Sequence, residues 1–211
     1  MKSNPNQTGT NAQQNAVPIN GKINIAKWIN EGWDIVMANF AEFFIISLIY
    51  VIVLIATSST LIVKFLFTGP LTVGVFLIIF NKMRGKPIQI GDIAKGFNFF
   101  VAAVLADILV TVLVGLGFIF LIIPGIILSA MYMFTFPLIL EKKMDFWQAM
   151  ETSRKLVTKN LFELSVFMLM LYILMFVGFL LFLVGFLVAL PITFAAIAAA
   201  YRDLFGLEST E

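Results

Sequence analysis

One residue in this sequence stands apart by its chemistry. Asp107 lies eight residues past Phe99 inside a long apolar run. At roughly 1.5 Å of rise per residue that is about 12 Å in, near the middle of a hydrocarbon layer about 30 Å thick. An ionised carboxylate at that depth costs at least ~2.5 kcal/mol, so it must face a partner, a bundle interior or water, and such residues mark ion and proton pathways. Thr111 follows one helical turn on. The plainer reading is that Asp107 is neutral, or bonded to Thr111, and fixes packing, because the chain offers no second deep charge for a relay.

Two further sets of residues could do chemistry. Gly69, Pro70, Pro124, Gly125, Pro137 and Pro191 punctuate the apolar runs. Such positions are kinks or turns in most proteins, and in transporters they break helices whose exposed ends bind ions. Lys27, Lys82, Arg84, Lys142, Lys143, Arg154, Lys155 and Lys159 cluster near one set of run ends. There they suit anionic lipid headgroups at roughly 1 kcal/mol per basic residue, although ordinary membrane topology also places cations so.

Other chemistries are excluded or unsupported. The chain has no Cys and no His, which removes disulfides, thiolate metal sites, Cys or His nucleophile pairs and the common histidine ligands. Its acids form no tight cluster of the kind that holds Mg²⁺, and no P-loop or nucleophile elbow occurs. An enzyme, a metal and a cofactor are therefore not expected, and nothing in the charge pattern points to nucleic acid.

The elements that must position these residues follow from composition. The chain has 211 residues, 61% hydrophobic and 12% charged, far from a soluble domain. Apolar runs of this length are spanning helices, since only a helix satisfies its backbone polar groups internally in lipid. An all-α integral membrane protein with six transmembrane helices is expected, arranged as three hairpins, each preceded by a cytoplasmic amphipathic helix.

Residues 1–22 form a polar tail rich in Asn and Gln, expected to be disordered. The membrane domain is residues 23–206, in units 23–86, 87–143 and 144–206, with a short tail over 207–211. Ile25, Trp28, Ile29, Trp33, Val36 and Phe40 face one way on the first surface helix, with both indoles expected at headgroup depth. Spans follow over 40–56 and 61–81, turning at Thr57 to Thr60; a turn at Gly69-Pro70 is the alternative. Ile88, Ile90, Ile93, Ala94 and Phe97 mark a second surface helix capped by Asp92. Spans over 99–121 and 125–140 join near Ile123-Pro124, with a bend at Pro137. In the third unit, Phe146, Ala149, Met150, Ser153, Leu156 and Val157 form one face of a surface helix, before spans over 161–182 and 184–201.

The units look like copies. Asn39, Asn98 and Asn160 each stand at the join of surface helix and span, and a proline lies 31 residues beyond the first and third (Pro70 and Pro191) and 26 beyond the second (Pro124). Pro70-Leu71-Thr72 aligns with Pro191-Ile192-Thr193, and Gly85 with Gly206. Such copies would be parallel repeats about an axis along the membrane normal. With six spans, 13 of the 14 Lys and Arg residues fall on the side of the termini and Lys64 alone on the other. The termini are therefore expected in the cytoplasm of a multi-pass cell-membrane protein, with Lys64 snorkelling to the outer boundary. The run Ala195, Ala196, Ala198, Ala199 and Ala200 lets helices approach closely, within the chain in preference to between copies.

Several motifs carry a likeness: Phe118 to Ile126 (FIFLIIPGI), Phe136-Pro137-Leu138, Trp147-Gln148-Ala149-Met150 with Ser153-Arg154-Lys155-Leu156-Val157, and Ala200-Tyr201-Arg202-Asp203-Leu204. Over residues 23–206 the chain resembles a broad group of prokaryotic multi-pass membrane proteins of unknown function, similar to the membrane domain attached to some glycerophosphodiester phosphodiesterases. The resemblance implies a six-helix membrane domain with cytoplasmic amphipathic elements, and it transfers no catalytic residues.

The expected function is accordingly a non-enzymatic scaffold or accessory protein, acting on membrane lipids, anionic ones included, or on a membrane-protein partner. The alternative is a small transporter or channel using Asp107 and the Pro/Gly breaks. A water-accessible cavity reaching Asp107 favours the transporter, and a dry bundle sealing it favours the scaffold.

Overall fold

The computed structural model describes residues 22–58 and 60–207. The polar tail before Lys22, the residues after Leu207 and Ser59 of the first turn lie outside the described residues. The described residues are helical, and six segments are long and apolar enough to cross a membrane: Phe40–Thr57, Val63–Met83, Ile90–Phe120, Ile122–Lys142, Leu161–Leu180 and Val184–Phe205.

The chain runs α1 (Ile25–Met37), α2 (Phe40–Thr57), α3 (Leu61–Met83), a 3₁₀ segment (Ile90–Phe99), α4 (Phe100–Phe120), α5 (Ile122–Tyr132), α6 (Thr135–Lys142), α7 (Phe146–Lys159), α8 (Leu161–Leu180) and α9 (Phe182–Phe205). The first turn lies between Thr57 and Leu61, and α3 runs uninterrupted through Gly69-Pro70, as α9 runs through Pro191. Each proline is followed two residues on by a threonine bonding back along its helix. Thr72 Oγ1 donates to the Thr68 carbonyl at 2.8 Å, and Thr193 Oγ1 to the Ala189 carbonyl at 2.9 Å. Beyond both helices a glycine with φ +78° turns the chain (Gly85 and Gly206), and Lys143 at φ 49° does so after α6, a left-handed stop that removes the chain from the helical path.

The middle of the chain departs from the expected boundaries. The break after α4 is at the extended residue Leu121, so Pro124 and Gly125 lie in the first turn of α5, where a missing N–H costs no helical bond. The fourth span is interrupted at Met133-Phe134, one turn before Pro137, because a proline ring clashes with the carbonyl four residues back. Ser153 of α7 bridges the interruption: its Oγ donates to the Met131 carbonyl at 2.7 Å and accepts from the Phe134 N–H at 3.3 Å. The buried face of α7 is otherwise Ala149, Met150, Leu156 and Val157, and Asp145 caps it by accepting from the Gln148 N–H at 2.9 Å.

Two surface elements also bear on the expectations. Of the two indoles, Trp28 is fully buried in protein, its ring edge-on to Phe167 at 5.2 Å and its Nε1 donating to Asp203 at 2.9 Å, whereas Trp33 is exposed. The stripe Trp28, Gly32, Val36 seats α1 on α9, where a Cβ on Gly32 would come within 2.7 Å of the Ala196 N. The alanine run of α9 is buried by contacts within the chain. The second surface element is 3₁₀ rather than α, and Ile90, Ile93, Gly96 and Phe99 recur every three residues, the period that aligns side chains on a 3₁₀ face. Asp92 does not cap it; the carboxylate is buried and pairs with Lys95 at 2.7 Å.

The spans close a ring. α2 touches α3 and α9, α4 touches α3 and α5, and α8 touches α5 and α9. Across the ring, α3 also meets α6 and α9. The most apolar stretches of α3 and α9 are 67% and 61% buried, that of the 3₁₀–α4 segment only 11%, so α3 and α9 are the core and α4 the periphery.

Candidate functional site

A cavity of about 460 Å³ lies inside the ring, and residues from every span line it. At about 30 Å³ per molecule it has room for roughly 15 waters. Asp107 is on its wall. What brings α4 close enough to matter is glycine: a Cβ on Gly69 of α3 would lie 2.4 Å from the Ala103 carbonyl oxygen, so the backbones of α3 and α4 touch there. The residue before it, Thr68, is thereby delivered to the carboxylate, and Thr68 Oγ1 hydrogen-bonds Asp107 Oδ2. The partner of Asp107 is thus Thr68 of α3 rather than Thr111, which is exposed and lines the same cavity.

The Thr68 hydroxyl has two acceptors within reach, the Asp107 carboxylate and the Lys64 carbonyl at 3.0 Å, but one proton. With Asp107 ionised, Thr68 donates to it. With Asp107 protonated, the acid donates to Thr68 Oγ1 and Thr68 donates to the Lys64 carbonyl. In both protonation states the Thr68 Oγ1–Asp107 Oδ2 hydrogen bond is kept.

Other hydroxyls are tied down by the same count. Thr72 and Ser129 spend their protons on the carbonyls of Thr68 and Gly125 (2.8 Å each). Tyr50 OH therefore donates to Thr72 Oγ1 at 2.9 Å, and Tyr172 OH to Ser129 Oγ at 2.7 Å. Aromatic rings supply much of the remaining wall. Phe194 meets Tyr50 at 5.8 Å and Phe76 at 5.3 Å, and Phe118 meets Tyr172 at 5.9 Å. Towards the end that carries Arg84 and Arg202 the cavity stops at a buried aromatic cluster. Tyr201 lies 5.4 Å from Phe80, 6.3 Å from Phe134 and 4.9 Å from Phe205.

That end is clamped by ion pairs. Arg202 grips Glu31 through both terminal nitrogens and donates to Asp203, whose other oxygen takes Lys27 at 2.7 Å together with the Trp28 indole. Arg84 pairs with the buried Glu141, joining the ends of α3 and α6. Of the basic residues suited to headgroups, Lys27 and Arg84 are therefore engaged with carboxylates of the bundle. Arg154 and Lys155 share Glu151 on α7 at 2.8 and 3.4 Å, and hydrogen bonds from Arg154 hold the Glu151 carboxylate down at about 2. Lys143 and Lys159 are exposed, Lys82 and Lys142 half-buried. Gly69 is a contact glycine, Pro70 and Pro191 lie within continuous helices, and Pro124, Gly125 and Pro137 occupy first turns of α5 and α6. Among the described residues no group of three or more acids converges to hold a metal ion.

Tyr50, Thr68, Thr72, Ser129 and Tyr172 are the site residues that sequence reasoning missed. A signal existed: Thr68 and Thr72 are hydroxyls four apart, Ser129 and Tyr132 three apart, so each pair shares a helix face inside an otherwise apolar span. No family model matches the chain, and neither a curated protein nor a solved structure matches it.

Proposed function

We propose that this protein is a small non-enzymatic membrane carrier that binds a solute in the ring cavity, with Asp107 as its ionic anchor. The observation that carries the reading is the carboxylate at mid-span on the wall of a cavity bounded by all six spans. An ionisable group at that depth is a functional site by default, and clefts between helices are where ligands bind. The 13-to-1 charge asymmetry supports cytoplasmic termini, and on that reading the aromatic cluster lies at the cytoplasmic end of the cavity.

The spans form three hairpins, α2–α3, α4–α5/α6 and α8–α9, as parallel repeats. Asn39 and Asn160 support this, with nearly the same backbone angles at the head of α2 and α8 (φ −138°, ψ 46° and φ −131°, ψ 44°). So do the matched Pro, Thr and positive-φ Gly of α3 and α9. The elements before the spans are amphipathic and cytoplasmic, with Lys143, Lys155 and Lys159 near anionic headgroups.

A scaffold or accessory role is the second reading. It is favoured by α4, whose apolar outer face, including Val101, Val112 and Ile119, is open to lipid or to a partner helix, and it accords with the likeness to membrane domains attached to a separate enzyme.

The chain has no cysteine, so single cysteines report cleanly. In liposomes, Val114→Cys on the cavity wall should react with an impermeant maleimide and Val112→Cys on the outer face of α4 should not. If both stay unlabelled, the bundle is dry and the scaffold reading replaces the carrier.

A further inference from the structure

We propose that the ring cavity selects a singly charged organic cation with an apolar body and exchanges it for a proton at Asp107. This rests on the carrier reading and names its substrate class. Three observations carry it. Among its described lining residues the cavity has one carboxylate, Asp107, and two of its three tyrosines, Tyr50 and Tyr172, have committed their protons to Thr72 and Ser129, so an anion would meet a like charge and two hydroxyls already engaged. The walls of the same cavity present the rings of Phe76, Phe118 and Phe194, surfaces that attract a cation through their π faces and cover an apolar body. Thr68 Oγ1 stays bonded to Asp107 Oδ2 in either protonation state, so the acid can carry a proton or stand as a carboxylate beside a cation, and one carboxylate cannot hold both.

The exchange balances: the Asp107 carboxylic acid gives its proton to water as the cation arrives, and the pair that remains is carboxylate and cation. Other ionisable groups face Asp107 or its helix: Lys64 on α3, Tyr50 on α2, Tyr132 on α5 and Tyr172 on α8. Glu151 and Arg154 of α7 lie on the opposite side of α4, and Asp92, Lys95, Glu141 and Lys142 lie on the 3₁₀ segment and α6 that pack against it. Comparison with Asp107→Asn separates their protons from that of Asp107.

The probe is benzyltrimethylammonium, which is permanently charged and carries no proton of its own, with neopentylbenzene as its neutral isostere. Calorimetric titration of the full chain in nanodiscs, in two buffers of different ionisation enthalpy, counts protons. The cation should bind with release of one proton, and its affinity should rise about tenfold per pH unit while Asp107 is protonated. Asp107→Asn should lose at least about tenfold in cation affinity and all of the proton release, while its binding of neopentylbenzene, equal to that of the unsubstituted protein, shows that it is folded. Equal affinity for cation and isostere, or cation binding without proton release, overturns the proposal and leaves the cavity as a site for apolar solutes. No binding of either probe with Val114→Cys still labelled overturns the cation assignment alone. No binding with Val114→Cys unlabelled overturns the carrier reading as well.

Discussion

The helices α3 and α9 and the segment from α4 to α6 solve the same problem in opposite ways. Each must cross an apolar layer with proline in its sequence. α3 and α9 absorb Pro70 and Pro191 within continuous helices, and they are buried on most sides. The segment from α4 to α6 is interrupted at Leu121 and at Met133-Phe134, and much of α4 is uncovered. The difference teaches where stability and chemistry are kept apart. Backbone-to-backbone contact at Gly69, Gly74 and Gly96 fixes α3 against the 3₁₀ segment and the start of α4; beyond Ala106 the packing loosens, and there Asp107 meets the cavity.

That contrast can be broken most forcefully at the seam. A Cβ on Gly74 would stand 2.1 Å from the Ile93 carbonyl oxygen, with backbone on both sides and no side chain able to yield. Gly74→Ala should therefore destabilise the protein by more than about 4 kcal/mol or prevent its accumulation, read by thermal unfolding in detergent. Gly115 on the cavity wall has nothing within 4 Å of its would-be Cβ, so Gly115→Ala should leave the melting temperature unchanged or raise it, alanine being the better helix former. Equal tolerance at the two glycines would remove the distinction between a tight seam and an open wall.

The next effect lies at the clamped end. Arg84→Met leaves the Glu141 carboxylate, 5% exposed in its side chain, without its guanidinium partner. A stability loss of about 3 kcal/mol is expected, because an uncompensated buried charge costs more than the pair contributed. Partial recovery in the double variant with Glu141→Gln would tie the loss to that charge; no recovery would assign it to packing.

The smallest effect belongs to α7. Glu151 titrates near 2 instead of its ordinary 4.5 because Arg154 bonds it. A group depressed in the folded state stabilises above its ordinary value and loses that contribution as the pH falls through its folded value. The Glu151 contribution should thus be complete above pH 4.5, fade towards pH 2, and shrink with added salt because the pair is exposed. Glu151→Gln should flatten that part of the stability profile and little else.

The outline of the fold was legible in the sequence for physical reasons. Lipid demands long apolar helices, Pro137 announces an interruption one turn before itself, and the face from Ala149 to Val157 on α7 follows helical spacing. The burial of Trp28 was not legible, because an indole suits both a headgroup layer and a core that offers its N–H a carboxylate, and only the fold brings Asp203 to it. The 3₁₀ segment kept its period of three hidden behind an equally good helical pattern through Ile90, Ile93 and Phe97. Asp107 could be found by depth alone. The residues around it could not, since a span apolar on every side carries little signal of which face turns inward, and Thr72, Tyr50 and Tyr172 converge on the cavity from three separate helices.

The claim at the centre of this account is that water reaches a carboxylate in mid-membrane. Membrane vesicles treated with a water-soluble carbodiimide and a glycine ester, then mapped by mass spectrometry, report it directly. Asp107 should be modified, along with interfacial acids such as Glu163, and should be protected when the treatment is repeated with excess benzyltrimethylammonium. Modification of Asp107 by a lipid-soluble carbodiimide alone, with Glu163 reacting normally in water, would mean that Asp107 is sealed in a dry bundle and would contradict the account.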